Sequence, residues 1–478
     1  MDNQYHSLRQ WVDRFRETGE VLDVKGAHWN QEMGVLTQLA RREKQGPALL
    51  FDEIPDHQIG FRVLVNTLGS TRRLAHTLRL GDVTGYRELV GKWKAKWKGL
   101  VPIPPRMVDN PPVKENRLLD DRVDLSLFPA PFWHDEDGGR YIGTGCVVIV
   151  KDPETGWVNL GTYRVQLQGN REVTVYIGSS HHGSIIRRKY LDQNKPCPVA
   201  IVLGQDPLVF LSASSLGVPP NRSEYDIAGG IKGEAISVFA GEKTGLPLPA
   251  DAEVILEGHF QPGNRRTEGP FGEFTGYYGS GQRDEPCMDV EAVYYRSQPI
   301  VLGSPPTRPP NESTFVHSIL KSASLEEELK GMGIPGILAA WNHPSGAAQM
   351  FVALSIKQQY PGHAKQVLVA ASNAYSVMHS KIVIVVDDDV DITNLEDLMW
   401  AVCTRFDPGI DVDILRRVPS SILDPAVPNG APAFTSRMLI DATRPYERRA
   451  EFAPAITINK EAEAEVRKRW GSVFGAGH

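Results

Sequence analysis

The 478-residue chain has only four cysteines, Cys146, Cys197, Cys287 and Cys403, and no two of them form a CxxC pair. This spacing argues against a structural zinc site and a disulfide scaffold, and it fits a reducing cytoplasm. Basic excess is also missing. The 52 Lys and Arg stand against 58 Asp and Glu, a formal charge of -6, so nothing marks a nucleic acid or an anionic membrane as partner. No run reaches the ~18 apolar residues of a membrane span. The opening MDNQYHSLRQWVDRFRE is polar and has no apolar signal core. Repeats and low-complexity tracts are absent. The remaining composition, 41% hydrophobic and 23% charged, is that of a soluble globular protein. The length predicts about three domains.

Periodicity changes twice along the chain. Leu8, Trp11, Val12 and Phe15 recur at helical spacing, which predicts an amphipathic helix over 5–18. A second helix is expected to carry Met33, Leu36 and Leu39, capped by Asn30 and ending before Gly46. ALLFDEI and FRVLVN read as strands, and the proline-rich VPIPPRMVDNPP as an extended linker. In the middle, GTGCVVIVKD, WVNLGTYRVQL, EVTVYIG, PVAIVLG, AEVILEGHF and MDVEAVYYR are short β-branched or aromatic runs, the pattern of a barrel or sandwich. The helix GSIIRRKYLDQ interrupts them. From about residue 310 a long helix, NESTFVHSILKSASLEEELKGMG, leads into alternating strands and helices, which implies an α/β layer. The proline-rich last 60 residues read as an arm or tail.

Four polar clusters sit in the β-rich middle. WVNLGTYR places Asn159 and Arg164 in a strand pattern, where a buried charge needs a partner. SSHHGSII sets His181 and His182 before a helix, whose first free N–H groups seat a phosphate. ASSLG is followed by RSEYDIAGG with Glu224, and EGPFGE sets Glu268 and Glu273 at the ends of a Gly-Pro-Phe-Gly bend. Each has a plain structural reading: a satisfied strand residue, a cap, or solvated acids at a surface turn. Together they supply an amide oxygen, an imidazole and a carboxylate, a set suited to Mn²⁺ or Mg²⁺. One Arg and two Glu are left over as an acid–base set.

These motifs, N-x-G-x-Y-R, a histidine eighteen residues later, E-Y-D-I-A-G-G and E-G-P-F-G-E, in register over 140–290, resemble the UbiD-type reversible decarboxylases, which use prenylated FMN. IVIVVDDDVD and MLIDATRP extend the resemblance less specifically. It implies a mixed fold: an N-terminal α/β segment (1–115), a split β-barrel flavin-binding domain (116–310), a linking helix (311–333) and a C-terminal α/β oligomerisation domain with a tail (334–478).

Carried over by position, the resemblance assigns Asn159, His182 and Glu224 to Mn²⁺. Trp157, Ala213, Ser214, Leu216 and Glu224 fall to K⁺, and Arg164, Glu268 and Glu273 to catalysis. Cofactor contacts extend to Leu160, Gly161, Thr162, Tyr163, His181, Ser214, Leu216 and Lys381. His181 is a departure, because some members carry Gln there, and a second ring alters flavin contacts or substrate shape. The implied partners are a small carboxylic acid and CO₂, a flavin prenyltransferase as cofactor supplier, and a second copy or a hexamer of the chain.

Removing CO₂ from an sp² carbon leaves electrons that no side chain can accept, so a cofactor must take them. In the family the prenylated flavin does so by bonding covalently to the substrate, and a proton then replaces CO₂. A glutamic acid of ordinary pKa, about 4.3, is ionised at neutral pH. A donor must therefore be buried or placed beside another negative charge. The resemblance gives this role to Glu273, with Glu268 paired to Arg164. Two other readings stand at this point: a flavin-independent metal-dependent lyase or hydrolase using Asn159, His182 and Glu224, and a non-catalytic flavin carrier. Gly178, Phe274 and residues beyond Asp389 and around 425–440 are expected to line the substrate pocket. They point to a flat aromatic, heteroaromatic or acrylic acid.

Overall fold

The computed structural model describes residues 5–43, 46–279, 281–428 and 430–473. Its first helix, Leu8–Glu17, buries Leu8, Trp11, Val12 and Phe15, the stripe read from the sequence, and Ser7 caps it by accepting from the Gln10 N–H. The second helix is Glu32–Arg42, but Asn30 does not cap it. Gln31 holds the cap position without a side-chain bond, and the Glu32 carboxylate accepts from the His28 N–H at 2.7 Å. Leu39 points to solvent at 49% exposure, while Met33, Thr37 and Ala40 face the core.

Four strands form the N-terminal sheet, in the order Val21–Lys25, Ala48–Asp52, Arg62–Val65 and Ile300–Gly303. The last comes from far along the chain and runs parallel to Arg62–Val65. The central sheet has nine strands. It begins at Tyr141–Gly143 and ends at Val158–Gly161, and among the described residues these two edges do not pair, so the curled sheet is split.

The run WVNLGTYRVQL, read as one strand, breaks here. Val158–Gly161 lies on one edge, and Val165–Leu167 lies beside the opposite edge strand. Thr162, Tyr163 and Arg164 cross the opening. The sheet is dominated by a long hairpin of Val254–Glu268 and Arg283–Tyr295, whose last pair is Glu268 with Arg283. The EGPFGE bend is therefore the start of the hairpin's connection. Two helices, Pro207–Ser215 and Glu224–Lys232, escaped the periodicity reading. The first buries nearly every residue from Pro207 to Ser212 and so has no polar face to set a period.

The linking helix is Glu312–Gly331, fixed at its start by a capping box. Asn311 Oδ1 accepts from the Thr314 N–H at 2.9 Å, and the Asn311 N–H donates to Thr314 Oγ1 at 2.8 Å. The C-terminal sheet has five strands, in the order Ile337–Asn342, Phe351–Ile356, Ile382–Asp387, Phe434–Asp441 and Val412–Pro419. Phe434–Asp441 lies within the last 60 residues, which are thus not all tail. Proline-rich connections conceal a strand that runs parallel to Ile382–Asp387. Beyond it, Lys460–Trp470 is helical, and the chain past 473 lies outside the described residues. No helix among the described residues is long and apolar enough to cross a membrane.

Glu312 joins three parts of the molecule. Its Oε1 accepts from the Leu68 N–H at 2.6 Å and from Thr67 Oγ1 at 3.0 Å, and its Oε2 from Ser304 Oγ at 3.1 Å. Bonds to a charged acceptor contribute about 1.5–3 kcal/mol. Glu312→Ala should therefore lower the denaturant midpoint by an amount equivalent to about 2–3 kcal/mol. Glu312→Gln should recover part of the loss, and an unchanged midpoint for the alanine variant would contradict the joint.

Candidate active site

Arg164 leaves the open edge of the split sheet and meets two carboxylates. Its Nε donates to Glu268 Oε1 at 2.7 Å and its Nη2 to Glu268 Oε2 at 2.9 Å, a bidentate fork. Its Nη1 donates to Glu273 Oε1 at 2.7 Å. Side-chain exposures are 8% for Arg164, 0% for Glu268 and 15% for Glu273, so water screens little of this. The guanidinium also lies 4.2 Å from the centre of the Tyr176 ring and 5.6 Å from that of Phe271. Burial alone would lower Arg164, but the hydrogen bonds and charge of Glu268, with Glu273 behind, raise it above its ordinary value. Burial pushes Glu273 up from the usual carboxylate range, against the pull of Arg164.

The bend that carries these acids is braced from below. Gly269 has φ +81, a region glycine enters without strain. Its N–H donates to Gln166 Oε1 at 3.1 Å, and the Gln166 amide donates to the Gly138 carbonyl at 2.9 Å. The Gly138 N–H donates to the Pro270 carbonyl at 2.7 Å. A Cβ on Gly138 would lie 1.9 Å from the Gly269 oxygen, so only glycine permits this approach.

Tyr141, which the sequence reading did not select, donates its hydroxyl to Glu268 Oε1 at 2.9 Å. Burial and the Glu268 charge hold that hydroxyl protonated. Its signal in the sequence was faint: a tyrosine before Ile-Gly, as at Tyr176.

A second cluster forms on the other lip of the split. Asn159 Nδ2 donates to Glu224 Oε1 at 3.1 Å, and the Leu160 N–H donates to Glu224 Oε2 at 2.7 Å. Glu224 opens its helix behind the Ser223 cap. Burial pushes its carboxyl up to about 7 despite these donors. Asn159 Oδ1 is buried with no partner. A cation would relieve both, so this donor set fits a hard divalent ion. His182 is the first residue of the helix His182–Leu191, and its ring meets that of Trp157 edge-on at 5.0 Å. Burial, reinforced by His181, lowers His182 and favours the neutral, metal-ligating imidazole. Among the described residues no three His, Cys, Asp or Glu side chains cluster as a metal site.

The remaining candidates divide. Trp157 Nε1 donates to the Arg222 carbonyl at 3.0 Å, which ties the Asn159 strand to the segment before Glu224. Tyr163 is wedged between Gly161 and Gly183, where a Cβ would lie 2.4 and 3.0 Å from its ring or hydroxyl atoms. Thr162 and Ser214 line a cavity of about 200 Å³ together with Thr144, Phe274, Ser304 and His317. Leu216 lines a neighbouring cleft of about 490 Å³ that shares Ser215 with it. Ala213 lies in the helix leading to both. The His181 ring covers Gly178, whose carbonyl lies 3.2 Å from its Nδ1, and meets Tyr163 edge-on at 5.8 Å.

Lys381 does not line the cavity. Its ammonium is held by Asp424 at 2.6 Å. It still approaches the site indirectly: a Cβ on Gly279 would meet both Glu273 Cγ and Leu423 Cδ2, the neighbour of Asp424. The expected pocket wall beyond Asp389 and around 425–440 is not found among the cavity-lining residues. Asp387 and Asp389 are occupied instead by Arg405 and Arg444. Ser304–Pro306 and the start of the linking helix line this cavity.

Comparison with known families matches three models in order. The 3-octaprenyl-4-hydroxybenzoate carboxy-lyase N-terminal domain matches residues 12–93, its Rift-related domain 106–309 and its C-terminal domain 314–442. Among solved structures, the vanillic acid decarboxylase of Sedimentibacter hydroxybenzoicus in open form, with truncated VdcD, is 30% identical with a TM-score of 0.85, over 98% of this chain and 100% of that one. Its closed form gives 0.79 at 30% identity, over 99% and 100%. The UbiD-class enzyme HmfF from Pelotomaculum thermopropionicum, in complex with FMN, is 28% identical with a TM-score of 0.84, over 95% and 97%. Matched in all three domains and along nearly its whole length, the chain belongs to the UbiD family of carboxy-lyases.

Proposed function

We propose that this protein reversibly decarboxylates an aromatic, heteroaromatic or α,β-unsaturated carboxylic acid, without net oxidation, using prenylated FMN. The observation that carries the reading is the buried Arg164 shared by two carboxylates. Fully ionised, the trio would carry one net negative charge in a nearly dry pocket, which a single proton relieves. Glu268 is held by two arginine bonds and a tyrosine hydroxyl, whereas Glu273 has one arginine bond and a raised pKa. The proton therefore resides on Glu273, the general acid that replaces CO₂ by H⁺. Arg164, oriented by Glu268, holds the substrate carboxylate, and the pair sets that protonation. A flavin carrier has no task for this trio, and the FMN-bound relative favours the flavin reading over a flavin-free lyase.

Asn159, His182 and Glu224 would hold Mn²⁺ or Mg²⁺ against the flavin phosphate, with water completing the sphere. Trp157, Ala213, Ser214, Leu216 and Glu224 would hold K⁺. The prenylated flavin would supply the electron sink that no side chain offers. Beyond the site, we assign 1–115, 116–310, 311–333 and 334–478 as the N-terminal, flavin-binding, linking and oligomerising segments. A flavin prenyltransferase supplies the cofactor in the cytoplasm.

Glu273→Gln should retain flavin and metal yet lose about 10²–10⁴-fold in turnover. Mass spectrometry should find no solvent deuterium at the carbon that bore CO₂, and near-normal turnover with deuterium incorporation would overturn the assignment. Because the acid form is the active one, kcat should be level at low pH and fall as pH rises through the folded pKa of Glu273, above the ordinary glutamate value. His182→Ala or Glu224→Ala should purify without Mn²⁺ and without the flavin's visible absorbance. Full occupancy of both in either variant would disprove the metal set.

A further inference from the structure

The long hairpin is not paired evenly along its length. Phe260 stands opposite Met288, but Arg265 stands opposite Pro286, so Val254–Glu268 throws out a bulge between those two pairs. Pro286 brings no N–H to the ladder there. Between the bulge and the helix His182–Leu191 lies a cavity of about 280 Å³, lined by Ser184, Arg187, Gln261, Asn264, Arg265 and Glu285 among others. It shares no lining residue with the cavity that holds Thr162 and Phe274.

Arg187 enters this cavity from the helix side. It is 5% exposed, yet it forms no ion pair among the described residues. Its Nη1 donates to the Val175 carbonyl at 3.3 Å, and its guanidinium lies 5.1 Å from the centre of the Phe260 ring. A guanidinium has five N–H donors, so most of its capacity is unspent. Ser184, one turn earlier and also buried, has no hydrogen bond from its hydroxyl among the described residues. Glu285 enters from the hairpin side. It is half-buried, and its carboxylate has neither a hydrogen bond nor an ion pair among the described residues. Burial lowers Arg187 and raises Glu285, and each charge opposes the shift of the other. The two therefore attract across the cavity without closing into a bridge. Around them, burial pushes the Cys197 thiol up to about 12, so it stays neutral, and Arg265 adds a second positive charge at the rim while bonding the Asp284 carbonyl. A buried cation and a carboxylate that both keep unspent bonds are costly unless a third group joins them.

We propose that this cavity binds a small oxyanion that carries its own O–H group, with hydrogenphosphate and bicarbonate as the two sources of that chemistry. The charged oxygens accept from the Arg187 guanidinium and the Ser184 hydroxyl, and the ion's O–H donates to the Glu285 carboxylate. Glu285 thereby reads the proton on the ligand. An oxyanion with no proton, such as sulfate, offers Glu285 only repulsion. Bicarbonate is the hydrated form of the CO₂ that the proposed reaction releases, but the binding itself does not rest on that reading.

The test is calorimetric titration of the flavin-loaded protein near neutral pH with inorganic phosphate, bicarbonate and sulfate. Phosphate or bicarbonate should bind saturably and about tenfold or more tighter than sulfate, the margin of one charge-assisted hydrogen bond, and the tighter of the two names the source. Glu285→Gln should bring the sulfate affinity up to that of phosphate, because its amide can donate to a bare oxyanion. That gain cannot come from a misfolded variant. Arg187→Gln should weaken binding about tenfold or more, and Arg187→Lys should keep part of it. Sulfate bound by the wild type as tightly as phosphate and bicarbonate, no saturable heat from either of those two, selectivity unchanged in Glu285→Gln, or full affinity in Arg187→Gln would overturn the site.

Discussion

Two carboxylates compete for one guanidinium in a place where water cannot arbitrate. Unit charges about 4 Å apart interact by roughly 4 kcal/mol at a protein-like effective dielectric, several times the value in bulk water. The placement of Arg164 therefore governs the charge state of its neighbours, and the surrounding structure is built to keep it in place. Tyr176 and Phe271 limit its motion through ring contacts, and Tyr141 adds a third donor to Glu268, at Oε1. Gln166 and Gly138 fix the backbone that carries both acids. Asymmetry is the outcome: a fork on Glu268 and a single bond on Glu273 make two identical side chains chemically unequal.

The split in the central sheet explains why six consecutive residues serve two purposes. Asn159 sits on one edge strand, beside Glu224, and Arg164 arrives at the other edge, beside Glu268. A closed sheet would bury the backbone of 162–164 in a ladder. Left open, the same three residues cross a gap, and Thr162 lines the cavity there. The Asn159–Glu224 cluster and the Arg164 trio are thus separated by the width of one opening and joined by one short segment.

Much of this was legible before any coordinates. The stripe Leu8, Trp11, Val12 and Phe15 is buried as its spacing demands, and the linking helix begins at the Asn311 cap. The pairing of Arg164 with Glu268 was implied by the family resemblance and is present, and Arg164 also donates to Glu273. The misses have physical causes. WVNLGTYRVQL is mostly β-prone; Asn159 and Gly161 weaken it, but the break at Thr162 depends on where the sheet runs out of partners. Pro207–Ser215 has no amphipathic period because it is buried on all sides. Asn30 looked like a cap, but the turn is stabilised by Glu32 instead. Tyr141 gave no motif, since its role exists only once Glu268 is brought beside it from more than a hundred residues away. Lys381 finds its counter-charge in Asp424, a pairing across 43 residues that no local pattern announces.

The strand Ile300–Gly303 closes the N-terminal sheet against Arg62–Val65. On a ribosome, the first hundred residues emerge long before that strand exists. Until then Val63, Leu64 and Val65, all at 0% exposure in the finished molecule, present an unmated edge. The first segment alone therefore lacks one strand of its sheet, and completing that sheet takes a contact more than two hundred residues away, the kind of long-range closure that slows folding.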